Sequence, residues 1–193
     1  MRKLIPLKLM AFILLMAASV YAKLPGDKAD DFTLKGIDGK EYNLSTALNN
    51  SNYVLVVFLS TECPFVQPYT DRLNTISNEY GSKGIALWGI NANSTESIET
   101  VKSHAEQKEY PFPVLKDVKN IVADMLGATR TPEVYLISKD KTILYHGRID
   151  DNRDAGKVTT NDLRNALDEA IAEKDISVKN TKSFGCSIKR AGE

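Results

Sequence analysis

The stretch 54–73, "VLVVFLSTECPFVQPYTDRL", runs from a Val-rich apolar segment into Cys63 and Pro64. So continuous an apolar run is expected of a strand covered on both faces. Beyond Cys63 the spacing changes: Phe65, Tyr69, Leu73, Ile76 and Tyr80 recur every three or four positions, which predicts one helix stripe. A cysteine, one of only two in 193 residues, therefore sits at a strand-to-helix passage. Pro64 suits a first helical position, so Cys63 is expected as the N-cap, where free amides and the helix dipole favour the thiolate that attacks disulfides and peroxides. The neighbouring Glu62 carboxylate opposes that effect, and Pro68 interrupts the first turns. The plain alternative is a buried cysteine acting as a small apolar residue.

Outward from this segment, strand and helix signals alternate. "DFTLKGIDGKEYNLS" (31–45) reads as a hairpin about Asp38-Gly39. "GIALWGINAN" (84–93) is a second buried strand, and "STESIETVKSHAEQKE" (94–109) a helix opened by a Ser or Thr cap. "FPVL" (112–115) predicts a short strand, and "KNIVADMLGA" (119–128) a short helix stopped by Gly127. "EVYLIS" (133–138) and "TILYHGRI" (142–149) flank the turn Lys139-Asp140-Lys141 as an antiparallel pair. "TTNDLRNALDEAIAEK" (159–174) closes with Leu163, Ala166, Leu167, Ala170 and Ile171 on one helix face behind a Thr cap. The order implies an α/β fold: a central mixed sheet flanked by helices, with an N-terminal hairpin. Residues 175–193 lack either periodicity and read as an extended C-terminal arm, yet they hold the second cysteine, Cys186.

At the other end, Arg2, Lys3 and Lys8 precede an uncharged run of about 14 residues ending in "SVYA", short of the roughly 20 needed to span a bilayer. Residues 1–22 are therefore expected to be a cleavable signal peptide, which predicts a periplasmic or secreted protein without stable membrane insertion. Residues 23–174 form the expected domain and 175–193 the arm. Removing three basic residues from a balance of 25 basic and 25 acidic leaves a net charge near −3, which gives nucleic acid and anionic lipid no attraction. Two cysteines in an oxidising compartment are enough to pair and too few for a disulfide scaffold. With His104, His146 and two distant cysteines there is no metal-ligand spacing, and no metal or cofactor is expected.

In "ATRTPEVYLI" (128–137) a proline immediately precedes a strand, where its missing N–H is tolerated, and Thr131-Pro132 is a candidate cis bond. An ordinary trans proline after Gly127 would read the same. Together, the strand-borne cysteine and the pre-strand proline resemble the thioredoxin superfamily, with Cys63 matching the nucleophile and Pro132 the cis-proline. Val66 stands where that motif has its second cysteine, so dithiol chemistry within the motif is impossible. "CPFV", "GINAN", "YPFPVLKD", "TPEVYLI", "GRIDD", "VTTNDLRNALD" and "GCSIK" occur in the same order in a peroxiredoxin-like branch, the redoxin or AhpC/TSA-type domain proteins. The resemblance spans roughly residues 24–190. Many members of that branch carry another cysteine at the position of Ser60.

This resemblance implies a thioredoxin-like fold and, first, an exported thiol-disulfide oxidoreductase. Cys63 would be its nucleophile and Cys186 a resolving cysteine. Pro132, Thr131 and Pro64 would shape a substrate groove. Protein thiols or disulfides would be the partners, with an external thiol as reductant. The second reading is a thiol peroxidase acting on small hydroperoxides. Its family signature places a hydroxyl three residues before the cysteine, which Ser60 supplies, but Val56 occupies the signature's proline position and Pro132 the place of its arginine. Arg130 and Arg148 are substitutes for that arginine by proximity only. Ser60, Glu62, Arg130 and Arg148 are thus auxiliary candidates. A third reading is a non-catalytic binding module whose cysteines form a structural staple. Asp150 and Asp151 are proton-acceptor candidates that a turn would carry anyway. Trp88 and Tyr135 read as core.

Overall fold

The computed structural model describes residues 22–192; the expected signal segment up to residue 21 lies outside them. The hairpin is β1 (Thr33–Gly36) and β2 (Glu41–Asn43), followed by α1 (Leu44–Asn50), β3 (Tyr53–Leu59) and α2 (Thr70–Gly81). Next come β4 (Ile85–Asn91), α3 (Ile98–Gln107), β5 (Val114–Lys116) and α4 (Ile121–Leu126). The chain closes with β6 (Arg130–Thr131), β7 (Glu133–Ser138), β8 (Ile143–Gly147), α5 (Asp162–Ile171) and β9 (Cys186–Ser187). Seven strands make a mixed sheet in the order β2-β1-β5-β4-β3-β7-β8, and β6 pairs with β9 apart from it. The central strand β3 runs parallel to β4 and antiparallel to β7.

Alternation along β3 explains its unbroken hydrophobicity. Leu55, Val57 and Leu59 face a layer holding Leu73 and Ile76 of α2, Val101 of α3 and Leu163 and Leu167 of α5. Val54, Val56 and Phe58 face Leu44 and Leu48 of α1, Val122 and Leu126 of α4, and Trp88. All six β3 residues are buried, and each such side chain contributes about 1.5–3 kcal/mol of apolar burial. A charged residue on either face would have to be buried, so this strand is fixed at the centre of the sheet.

Three local readings are corrected. The helix does not begin at Pro64: Cys63 leads into consecutive turns, with Val66 N–H donating to Cys63 O at 3.0 Å and Tyr69 N–H to Val66 O at 2.9 Å. A 3-10 turn over Gln67–Tyr69 precedes α2. Pro68 lacks the N–H that a helix running through this region would use, so the regular ladder is delayed to Thr70. Helix α5 begins after Asn161, not a threonine, and has no side-chain cap. Helix α1 was not foreseen; the Asn43 side chain accepts Thr46 N–H and starts it within an otherwise polar turn.

The arm is extended, as expected, and it is docked. It runs beside β8, where His146 N–H donates to Lys179 O and Thr181 N–H to His146 O, both at 3.0 Å. Past β9, Ile188 is buried and its N–H donates to Thr129 O at 3.0 Å. Ser94 N–H then donates to Lys189 O at 2.9 Å, and Arg190 Nε to Asp124 Oδ1 at 2.9 Å. Gly147 permits the first contact: its φ is +152°, and a Cβ there would lie 2.1 Å from Thr181 Oγ1. Gly147→Ala should therefore cost about 1–3 kcal/mol through strain and overpacking. The checks are a melting temperature lowered by several degrees and faster amide exchange over 179–188 than in β3. Unchanged exchange in the arm would show that it docks without this contact.

Candidate active site

Strand β3 ends at Leu59, opposite Asn91 at the end of β4, so the segment Ser60–Cys63 leaves the sheet beside the loop that follows β4. Thr131-Pro132 is a cis peptide bond, as the sequence suggested. It lies beside the Cys63 loop because Glu133 pairs with Phe58 across β7 and β3. Cys63 is 1% exposed, and its Sγ lies 3.2 Å from Thr131 O, which accepts the thiol proton in the neutral form. The arm completes the arrangement: Cys186 is the antiparallel partner of Thr131 and packs against the buried cluster that holds Cys63. Gly185 makes this approach possible, because its φ is +150° and a Cβ would sit 2.0 Å from Thr131 O.

The two thiols differ in acidity. Burial pushes Cys63 up, but donors supplied by the Cys186 thiol and the N–H groups of Cys186 and Phe65 outweigh it, and Cys63 is lowered. These local donors replace the helix terminus anticipated from Pro64. Cys186 moves the other way, to about 11, through burial, its hydrogen bond to Cys63 and the charge of Cys63. When one of the two ionises, Cys63 is the preferred carrier of the charge.

Two buried carboxylates were missed in the sequence. Glu96, 2% exposed, accepts from Ser60 Oγ at 2.5 Å, Thr61 N–H at 2.8 Å, Asn91 Nδ2 at 2.5 Å and Asn93 Nδ2 at 2.6 Å. Asn93 uses its Oδ1 to accept Lys189 N–H of the arm at 2.8 Å, and Lys116 Nζ donates to Asn91 Oδ1 at 2.6 Å. Burial raises Glu96, but the donors from Ser60, Thr61, Asn93 and Asn91 prevail, and its pKa falls below the usual range. Glu133, beside Pro132, accepts Thr129 N–H and Arg130 N–H at 2.9 Å each and hydrogen-bonds His146 Nε2 at 2.6 Å. The residues of "GINAN" offered the signal for the first: short amides beside a strand end need a buried acceptor.

Among the auxiliary candidates, Ser60 serves Glu96, and Glu62 has an exposed side chain whose backbone N–H donates to Ser60 Oγ at 3.2 Å. Arg130 is exposed and donates to Gly185 O at 3.1 Å, thereby touching the arm. Arg148 is held away by Asp162, at 2.8 Å from its Nε, so it is no stand-in for a peroxide-activating arginine. Pro64 is exposed at the rim. Asp150 is buried against Arg72 at 2.5 Å and Tyr69 OH at 3.1 Å, and Asp151 caps the Thr159 turn. Trp88 and Tyr135 are core residues, and no helix among the described residues is long and apolar enough to cross a membrane.

A mixed sheet flanked by helices, with a strand-end cysteine against a cis-proline, is the thioredoxin-like fold. Within it, the chain belongs to the AhpC/TSA family, whose model matches residues 25–146. It is 29% identical over 119 residues to the thioredoxin-like protein YneN of Bacillus subtilis, covering 61% of this chain and 68% of the relative. It is 24% identical to the thiol-disulfide oxidoreductase ResA of Geobacillus thermodenitrificans over 60% of this chain and 64% of that protein. A solved hypothetical protein from Sinorhizobium meliloti 1021 superposes with a TM-score of 0.82 at 33% identity, over 90% of this chain and 98% of that one.

Glu96→Gln tests the buried acceptor. The variant turns an amide NH2 toward other donors, and about 2–3 kcal/mol of stability should be lost at pH 7. A depressed carboxylate adds stability that is present above its unfolded pKa of about 4.3 and is lost as pH falls through the folded value. The gap between wild type and variant in urea titrations should therefore narrow at pH 3. Equal stabilities at pH 7 would mean that the charge is only tolerated.

Proposed function

We propose that the protein is a thiol-disulfide oxidoreductase whose redox centre is Cys63 and Cys186. The observation that carries this reading is the pairing of Cys186 with Thr131, which brings the arm's sulfur to the lowered Cys63 thiol. The AhpC/TSA membership and the thiol-disulfide oxidoreductase among its relatives support the same chemistry. The arrangement replaces the absent second cysteine at Val66 with one supplied from the far end of the chain.

In the reaction, the Cys63 thiolate attacks a partner disulfide, forming a Cys63–partner bond while the partner's other sulfur leaves as thiolate. Covered as it is, Cys63 meets that partner when the segment 182–187 lifts, a stretch that holds no fully buried residue. Cys186 then attacks Cys63 Sγ, expels the second partner thiolate and leaves a Cys63–Cys186 disulfide. The acidity of Cys186 fits this order. Part of what keeps it a thiol is the neighbouring Cys63 charge, and that charge disappears once Cys63 is in a mixed disulfide. The resolving thiol thus becomes easier to ionise when there is something to resolve. Pro132 and Thr131 line the groove, and an external thiol returns the pair to the reduced state. The basic, apolar start of the chain supports an exported protein, for which a disulfide partner would be at hand.

The test follows a disulfide peptide and hydrogen peroxide as alternative oxidants of the reduced protein. Disulfide turnover should exceed peroxide turnover, and nonreducing peptide mapping should give a 63–186 cross-link within one chain. Cys63→Ser should abolish turnover, and Cys186→Ser should accumulate the mixed disulfide on Cys63. Alkylation of Cys63 should show a midpoint below the ordinary thiol value of about 8.5. Faster consumption of peroxide, sustained in Cys186→Ser by added thiol, would instead identify a peroxidase. A free Cys186 in every redox state would remove the pair.

A further inference from the structure

While the arm is docked, its own residue Cys186 lies antiparallel to Thr131, so the arm occupies the groove beside Pro132. Cys63 lies beneath it at 1% exposure, whereas Cys186 is only half-buried. An outside thiol meeting the docked, oxidised form therefore meets the Cys186 sulfur first. Three exposed cations lie around that sulfur. Arg130 is exposed and donates to Gly185 O at 3.1 Å, one residue from Cys186. Lys189 is exposed on the arm and close enough for its charge to act on Cys186. The exposed Arg153 lies 5.1 Å over the ring of Phe65, whose backbone N–H reaches both sulfurs. None of these three cations takes part in an ion pair among the described residues. One exposed carboxylate, Glu62, lies on the same loop as Cys63.

We propose that the pair is re-reduced through Cys186, by a polypeptide thiol flanked by acidic side chains that dock on Arg130, Lys189 and Arg153. This rests on the disulfide chemistry proposed above and assigns the reductant's entry point and its class. A polypeptide is favoured over a small acid because the cations are spread around exposed Pro64 and half-buried Phe65 and Phe184, an apolar rim that a chain can cover. The step balances. The partner thiolate bonds to Cys186 Sγ, the Cys63–Cys186 bond breaks, and Cys63 leaves as thiolate. A second partner thiolate then attacks the partner's sulfur in the mixed disulfide, giving an oxidised partner and a Cys186 thiolate that takes a proton from water. The lowered pKa of Cys63 agrees with this direction, since the better leaving group is the lower-pKa thiol. The polarity is the reverse of what the oxidising half uses, so the two kinds of partner meet different sulfurs.

The experiment uses the full chain, oxidised to its 63–186 disulfide, and three single-cysteine peptides flanked by Glu, Ser or Lys. Each rate is normalised to that peptide's rate with the neutral hydroxyethyl disulfide. The Glu peptide should reduce the protein at least about tenfold faster than the Lys peptide at low salt, within the range of electrostatic steering. In Arg130→Gln/Arg153→Gln/Lys189→Gln the ratio should fall to within about twofold, and about 0.5 M salt should compress it likewise. Acid-quenched mapping should find the first adduct on Cys186. Mercaptosuccinate separates the sources: a small dianion favoured as strongly as the Glu peptide would overturn the polypeptide assignment. Equal peptide rates, a faster Lys peptide or a first adduct on Cys63 would overturn the proposal while leaving the redox pair intact. Failure of the wild type to form the 63–186 disulfide would overturn both.

Discussion

Thr131 carries the constraint on which the site depends. Its peptide bond to Pro132 is cis, its backbone pairs with Cys186, and its carbonyl lies 3.2 Å from Cys63 Sγ. One residue thus fixes the Cys63 loop, the start of β7 and the arm relative to each other. It can do so because Glu133 anchors the next position in the sheet and holds the N–H groups of Thr129 and Arg130 on its carboxylate. The support continues through His146, whose ring hydrogen-bonds Glu133 and stacks on Tyr135 at 4.4 Å, and whose backbone pairs with the arm. The groove and the strap across it therefore share one foundation.

Glu96 is the matching foundation on the other side of Cys63. Its carboxylate gathers donors from the loop after β3 and the loop after β4, and Asn93 passes the connection on to Lys189. A buried carboxylate accepting this many hydrogen bonds stays ionised, because each donor stabilises the charged form and together they exceed the penalty of burial. The result is rigidity where Cys63 leaves the sheet and rigidity where the arm ends. Between those fixed points, residues 182–187 have no fully buried side chain, so the part of the arm that carries Cys186 is its least anchored part.

What the sequence made legible follows the same division. The strands β3, β4 and β7, the stripe of α2 and the apolar face of α5 could be read because burial leaves periodicity in composition. Cys63 and Pro132 could be read because each stands at the edge of such a run. Glu96 and Glu133 could not: a glutamate after "ANST" or ahead of "VYLIS" looks like a solvated residue, and only the fold reveals donors converging on it. The extended arm and its cysteine could be read, but its route was hidden, because most of its bonds use backbone groups that every residue possesses. The helix start was misplaced for a different reason. Pro64 satisfies the rule for a first helical position, but Pro68 four residues later makes a regular ladder through both impossible.

Placing the two sulfurs more than 120 residues apart in sequence has a thermodynamic consequence that a local pair of cysteines lacks. A disulfide within one helical turn closes a short loop and hardly restricts the unfolded chain. A 63–186 bond would close nearly the whole domain, and the chain-entropy model assigns such a loop nearly 5 kcal/mol. The bond would also tie down the least anchored part of the arm, while its reduction would leave that part held only by the Thr131 pairing and the flanking contacts. Under the proposed disulfide chemistry, redox state and arm mobility would be linked: the reduced form would be the one whose cover can lift, and the oxidised form would be locked with Cys186 outermost. That linkage would require no rearrangement of the sheet, because with both cysteines free the far end of the arm is already held by Ile188 and the bonds to Asn93 and Asp124.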